Sequence, residues 1–433
     1  MPSHRHKPLE DDVKFAGDFE GIVNAKRIKD IGQKAFQSAV NCEVTNTKKV
    51  TRRNGYSLVD STGYTAVYGN HKQDKLYAVK GGVLYDVGPD AVRTALASGF
   101  NEGQYCWSED PNDNVYFTSD AQSNGIITNE GIFLPLLLPV PAIIAVAVLD
   151  PGTWQPTPLN IGKTYNAAQM QMFATYTMAD GRETAPSETV SLDVAPEVKL
   201  IQVSVPYGGV ATNIYCTAPG GSTYYLAAIT TLDFCTVVVA NINMTATGYD
   251  YPYTSGLEGF TADQTLLAFH HGQLMTACYD NQRATGTIYK SLPLQYHLFD
   301  KGMDFHDING VPLLLLPHKT GTIIGTSCCI YNLGYDEPTP YGGIHKGRLE
   351  ELASFGVPAG ISGAVHHHNG KSYFWTLRGV ARAMPFEMVT DGVFSADPGV
   401  QNHGALMYER GYVKLLASTV TGAPDFNQWN ERT

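Results

Sequence analysis

Short stretches of alternating apolar and polar residues recur along the chain, separated by turn-forming residues. Residues 64–69, 74–80 and 83–88 follow this pattern, with Asn-His-Lys-Gln and Gly-Gly between them. The two-residue period and the intervening turns predict short β-strands. A second set follows at 105–108, 114–119 and 125–129. Aromatics sit at matching places, in Leu76-Tyr77-Ala78-Val79 and in Val115-Tyr116-Phe117-Thr118. The sets lie about 40 residues apart, the period of a four-stranded propeller blade. The rhythm stops near 130 and returns near 262, with strands expected at 265–271, 273–279, 286–292, 311–316, 321–326 and 329–333. After a Gly- and Pro-rich excursion at 335–347, further strands are expected at 360–367, 371–377, 379–384, 403–409 and 412–418. The expectation is an all-β chain: a β-propeller of five or six blades whose N-terminal and C-terminal sets close one ring. Closure removes the exposed strand edges.

The interruption has another texture. Strands are expected at 164–177, 189–194, 200–205, 213–217, 224–230 and 236–239. Asp180-Gly181 signals a hairpin, and Pro186 is excluded from a central ladder. This density of strands fits an inserted immunoglobulin- or fibronectin-like β-sandwich. The absence of a Cys…Trp…Cys core favours the fibronectin type. The expected organisation is an N-terminal arm at 1–20, the first part of the propeller at 21–130, the insert at 131–256 and the second part at 257–433. Within the first part, 22–32 has helix-compatible patches, 35–44 suits a strand and 51–56 a turn. Residues 132–149 carry no charge, but Pro135, Pro139 and Pro141 would break a helix. They read as extended chain entering a buried strand, and no membrane insertion is expected.

Composition narrows the classes. The 433 residues include 30 basic and 41 acidic ones, a net charge of −11, and only 16% are charged. Average soluble domains carry about 25%. With 43 Gly, 24 Pro and 25 Tyr, the chain suits pleated surfaces and turns rather than disorder or helical bundles. The acidic balance argues against tight nucleic-acid binding. Seven Cys residues at no metal-ligand spacing read as buried thiols of a chain made in reducing cytosol. The N-terminus shows no apolar signal-peptide core.

Candidate chemistry is sparse. Gly162-Lys163-Thr164 lacks the glycine spacing of a P-loop, since Thr157 stands where the first Gly is needed. The chain has no Gly-x-Ser-x-Gly elbow, His-Glu-x-x-His or paired Cys-x-x-Cys, and Ser362 lacks the elbow spacing. Asp110 to Asn114 is oxygen-rich, but Val115 and Ala121 replace the Gly and Glu that an EF-hand loop requires. It reads as a turn, as does His270-His271 before Gly272. On a strand, His366 and His368 share one face and would suit a divalent ion if a third ligand approached. The basic run Lys48, Lys49, Arg52 and Arg53 stands out on an acidic chain. These six are interaction candidates. No catalytic, cofactor or metal residue is expected, and the chain is not expected to be an enzyme.

The order of several segments resembles a family. Gly21-Ile22-Val23-Asn24, Ala39-Val40-Asn41-Cys42-Glu43-Val44 and Arg52-Arg53-Asn54-Gly55-Tyr56 resemble the opening of a group of tailed-bacteriophage virion proteins. Within the insert, Thr175-Tyr176, Asp180-Gly181-Arg182-Glu183-Thr184-Ala185-Pro186-Ser187 and Asn213-Ile214-Tyr215-Cys216-Thr217 are similar too. So are Ile288 to His297, with Leu292 at a commonly acidic position, and Gly321 to Thr326 with Tyr331-Asn332-Leu333-Gly334. The resemblance covers most of residues 20–420. It implies a structural tail protein like the propeller-containing nozzle or tail-hub proteins of short-tailed phages. Such a protein is assembled in the host cytoplasm and resides in the virion. The implied partners are further copies in a ring, commonly six, the portal and adaptor, and tail fibres or distal tail proteins, with DNA passing transiently. The alternative is a propeller-type receptor- or glycan-binding, or glycan-degrading, tail protein.

Overall fold

The structure is a computed structural model. It describes residues 63–149, 168–194, 200–239, 256–338, 347–358 and 372–389, less positions 71, 73, 89 and 207, and elsewhere only the backbone of short strands. The described residues contain no helix and form many small sheets. Neighbouring strands run antiparallel, apart from a two-residue parallel pair, Gly21–Ile22 with Ala35–Phe36. The other strand in the 35–44 stretch, Cys42–Val44, pairs instead with Val50–Arg52. The chain divides into two compact units, Thr62–Pro312 and Met1–Ser61 with Leu313–Thr433.

The unit Thr62–Pro312 opens with two four-stranded sheets built in strict sequence order. The first is Ala66–Gly69, Leu76–Lys80, Val83–Val87 and Arg93–Ser98; the second is Tyr105–Glu109, Val115–Ser119, Asn124–Ile127 and Phe133–Leu134. Each starts with a turn built on an Asx side chain. Asn70 Oδ1 accepts from the amides of Asp74 and Lys75, and Asp110 Oδ1 accepts from those of Asn112 and Asn114. These turn residues sit at matching points of the repeat, so the acidic-looking loop at 110–114 is a turn brace. Gly81 and Gly82, at φ of 56° and 75°, make the two-residue turn between the next strands. Left-handed φ at both positions is the hairpin geometry that twisted strands favour.

The two sheets share one core of Tyr77, Val79, Leu84, Tyr105, Val115, Phe117 and Ile127. Tyr68 from the first stacks on Trp107 from the second at 5.4 Å. The other face of the second sheet packs against a third through Tyr116, Ile126, Leu136, Leu267, Phe269 and Phe299. That third sheet is built on Leu266–His270, Gln273–Asp280 and Thr285–Leu292. Its last strand pairs along one stretch with Phe305–Asn309 and at its end with Gln295–Phe299. Side chains tie the second and third sheets further. Ser108 Oγ accepts from the Phe269 amide at 2.6 Å, and the Thr118 hydroxyl donates to the Gln264 carbonyl at 2.8 Å.

Between the second and third sheets the chain forms two sheets of crossed order. One reads Pro156–Thr157, Ala145–Leu149, Leu200–Ser204, Phe234–Val238; the other reads Val190–Val194, Ala168–Thr177, Ala211–Thr217, Tyr224–Thr230. Both contribute inward side chains to a common core, among them Met170, Met172, Ile201, Val203, Ile214 and Val237. The described side chains of the strand Ala145–Leu149 are not buried, in contrast to the sequence expectation. Ala145 is exposed and Val146 and Ala147 are half-buried, because only one face of this sheet meets the core.

The unit Met1–Ser61 with Leu313–Thr433 repeats the pattern. Pro312–His318, Gly321–Thr326, Ile330–Gly334 and Leu349–Ala353 form one sheet; Ala364–His366, Ser372–Thr376, Gly379–Arg382 and Glu387–Met388 form the next. They share Leu314, Leu316, Ile323, Ile330, Phe374 and Ala381. Gly404–Glu409 and Tyr412–Ala417 make a hairpin.

Candidate functional site

The hairpin that joins Ala168–Thr177 to the chain ahead of Val190–Val194 carries a dense polar network. Gly181, at φ 82°, turns the chain so that Met178 and Arg182 pair, and Asp180 Oδ1 accepts from the Arg182 amide at 3.0 Å. Glu183 then folds back over its own sheet. Its Oε1 accepts from Tyr215 OH at 2.9 Å, from Asn213 Nδ2 at 3.1 Å and from the Thr175 hydroxyl. Thr184 and Ser187 replace a missing strand partner: their hydroxyls accept from the amides of Tyr176 and Ala174 at 2.9 and 3.0 Å. In the reverse direction, the Thr184 and Ser187 amides donate to the same two residues' carbonyls. Pro186, which has no amide to offer, sits between them, consistent with its exclusion from a ladder.

The same eight residues reach two neighbouring sheets. His297, on Gln295–Phe299, donates from Nε2 to the Glu183 carbonyl at 2.7 Å. Burial lowers the His297 imidazole to about 4, and the nearby Arg182 guanidinium also opposes its protonation. Arg182 Nη2 donates to the Pro135 carbonyl at 2.8 Å, beyond the last strand of the second sheet, while its Nε donates to Asp180 at 2.8 Å. Burial would raise the Asp180 carboxyl, but the Arg182 hydrogen bonds outweigh it and hold the group low. Ala185 completes the contact in an apolar cluster with Leu257, Leu298 and half-buried Leu292. The segment 180–187 is therefore a clamp fixing the two-sheet part to the second and third sheets. The sequence marks it as a turn and as a matching motif; its clamping role depends on hydrogen-bond partners 47 and 114 positions away.

A second surface is notable for what it lacks. The outward face of the sheet carrying Phe234–Val238 presents Ala145, Ala147, Leu200, Gln202, Ser204, Phe234, Thr236 and Val238, by the strand register and the alternation of burial. None of the eight is charged. Phe234 is 48% exposed, with Ile144 and Leu232 exposed beside the face. Among the described strands, Phe234–Val238 has a partner on one side only, and it carries none of the Lys or Pro that commonly protect an edge.

Of the six interaction candidates, the structure describes two, by their backbones. Arg52 ends the strand Val50–Arg52, with its backbone opposite Cys42, and His366 ends Ala364–His366, opposite Ser372. Lys48, Lys49, Arg53 and His368 lie outside the described residues, as does Gly162-Lys163-Thr164. Among the described residues no three His, Cys, Asp or Glu side chains group at metal-binding geometry. His271 and Gly272, with φ of 52° and 75°, form a two-residue hairpin turn. The thiols are less uniformly buried than expected. Cys216 and Cys235 are buried, Cys106, Cys278 and Cys329 half-buried, and Cys328 exposed.

No protein-family model matches the sequence, and no curated protein matches it. Among solved structures, dipeptidyl peptidase 4 of Porphyromonas gingivalis is similar at 10% identity and a TM-score of 0.24, over 82% of this chain and 46% of that one. The chain thus spans about half the length of that peptidase. Apo AztD from Citrobacter koseri is similar at 12% identity and a TM-score of 0.25, over 74% of this chain and 83% of that one. Likeness at these scores carries no inference about chemistry.

Proposed function

We propose that this protein is a non-enzymatic structural component of a bacteriophage tail, a nozzle or hub. In this reading several copies form a ring around the DNA exit channel and link the portal and adaptor to distal tail parts or fibres. The fold that goes with it is a β-propeller of five or six blades, each successive four-stranded sheet a blade, interrupted at about 131–256 by a fibronectin-like sandwich. The observation that carries the reading is the clamp. In the segment Asp180 to Ser187, part of the resemblance to tail proteins, Arg182 donates to the Pro135 carbonyl and the Glu183 carbonyl accepts from His297, which holds the two-sheet part against its neighbours. That is an architectural use of side chains.

Two further features support it. A net charge of −11 suits a conduit, because fixed cations on the wall would retain passing phosphates. The uncharged outward face around Phe234 suits contact with another acidic copy, as interface cores are depleted of charge. A head-to-tail contact of this kind generates a ring when its rotation closes. Particle imaging of the purified protein, alone and with its adaptor, tests the reading. Rings of uniform copy number are expected; a chain that stays monomeric with the adaptor present and is missing from purified virions refutes it. The glycan-binding alternative predicts retention on host polysaccharide, which the structural reading does not.

A further inference from the structure

Asn-Gly steps occur in the chain at Asn54, Asn124, Asn309 and Asn369. Those at Asn124 and Asn309 lie among the described residues, and the fold holds them differently. Asn124 and Gly125 belong to the strand Asn124–Ile127, with Thr118 and Phe117 opposite. Asn124 Oδ1 accepts from the Leu137 amide at 3.0 Å, and Nδ2 donates to the Gln122 carbonyl at 3.3 Å. Gly125 is buried, and the Phe133 and Phe117 rings fill the space that a Cβ would take. Side chain and backbone of this step are both held. Asn309 is instead the last residue of Phe305–Asn309 and is exposed. Among the described strands, Phe305–Asn309 pairs with Thr285–Leu292 alone. Gly310 lies beyond the strand and turns the chain at φ 84°. Its amide donates to no backbone carbonyl among the described residues. A residue without Cβ leaves the backbone free to swing, and the end of an outer strand opens more readily than a sheet interior.

We infer that Asn309-Gly310 is a self-modification site, where the backbone amide of Gly310 converts the Asn309 side chain to isoaspartate and aspartate. This rests on the turn geometry and not on the proposed function. The Gly310 nitrogen gives its proton to solvent and attacks Asn309 Cγ. The new N–Cγ bond closes a five-membered succinimide. The Cγ–Nδ2 bond breaks, and Nδ2 takes a proton from solvent and leaves as ammonia. Water then opens the ring. Breaking the bond from the Gly310 nitrogen to Cγ gives aspartate. Breaking its bond to the Asn309 main-chain carbonyl carbon gives isoaspartate, with the chain now running through Cβ and Cγ. One water is consumed and one ammonia released, and nothing is oxidised or reduced. Either product adds a negative charge at the exposed turn. Isoaspartate also lengthens the main chain by one carbon, at the end of a paired strand.

The test incubates the full chain at pH 7, 8 and 9, then digests it and follows the peptides containing Asn309 and Asn124 by mass spectrometry. Fragmentation separates isoaspartate from aspartate. The Asn309 peptide is expected to gain the mass difference between an oxygen atom and an NH group. Its conversion should quicken with pH, because the attacking nitrogen must lose its proton. The Asn124 peptide should convert at least about tenfold more slowly in the folded chain, since its reaction waits on opening of the sheet. In urea the two should convert at similar rates. Asn309→Gln, a change at an exposed position, should remove the conversion, because the longer side chain must close a six-membered ring, which forms far more slowly. The inference is overturned if Asn309 stays intact in the folded chain over a period in which it converts in urea, or if Asn124 keeps pace with it in the folded chain.

Discussion

Glu183 accepts three hydrogen bonds on one carboxylate oxygen, from Thr175, Asn213 and Tyr215. Glu183→Ala leaves all three donors without this acceptor, each of them on a buried residue of the two central strands. The expected loss is about 3 kcal/mol, since unsatisfied buried groups cost more than a hydrogen bond contributes. Glu183→Gln keeps an acceptor oxygen in place and should lose about 1 kcal/mol. Urea unfolding of both variants checks the contrast. His297 sets a pH dependence of known sign. Its folded value of about 4 lies below the ordinary 6.5, so the native state takes up its proton later than the unfolded chain. The contribution is complete above about pH 6.5, falls as pH drops toward 4, and is exhausted below that. The shift corresponds to on the order of 3 kcal/mol across the window. His297→Gln should flatten the stability profile between pH 6.5 and 4; an unchanged slope would show that another group carries it.

At the scale of strands and sheets, the limits of sequence reading have a common cause. The alternating apolar strands were legible: Tyr224–Thr230 and Gly321–Thr326 fall at their expected bounds. The outer strands were not. Arg93–Ser98 buries no side chain fully, and Phe133–Leu134 is two residues long. An outer strand that offers the core a single side chain, Leu96 or Phe133, leaves little hydrophobic signal. Gly125 shows the converse, a glycine whose reason lies across the sheet. A Cβ there would overlap the Phe133 ring and come within 2.9 Å of Phe117. Gly125→Ala should destabilise by about 1–3 kcal/mol through overpacking, measured as a lower urea midpoint with an unchanged slope. The Phe234–Val238 strand carries a prediction of assembly. Phe234→Asp places a charge on the uncharged face and should raise the dissociation constant of copy–copy contact at least tenfold, without changing the fold by circular dichroism.

For the whole molecule, the proposed ring makes charge the controlling variable of association. Copies that each carry −11 repel over about 30 Å at 0.01 M salt and about 10 Å at 0.1 M. Ring formation should therefore strengthen as salt rises between these limits, read by sedimentation. Weakening with salt would instead indicate ion-paired contacts, and the uncharged-face account would fail. The amino-acid sequence by itself determined the all-β class, the repeat of about 40 residues, the hairpin turns and the interruption by a different strand pattern. These depend on local conformational preference and on alternation, which a linear chain displays. Only the tertiary structure decided that Asp180 to Ser187 clamps neighbouring sheets. It also decided that eight uncharged side chains gather on one outward face. Each of these joins residues from strands distant in the chain, and their meeting is fixed by sheet order and register.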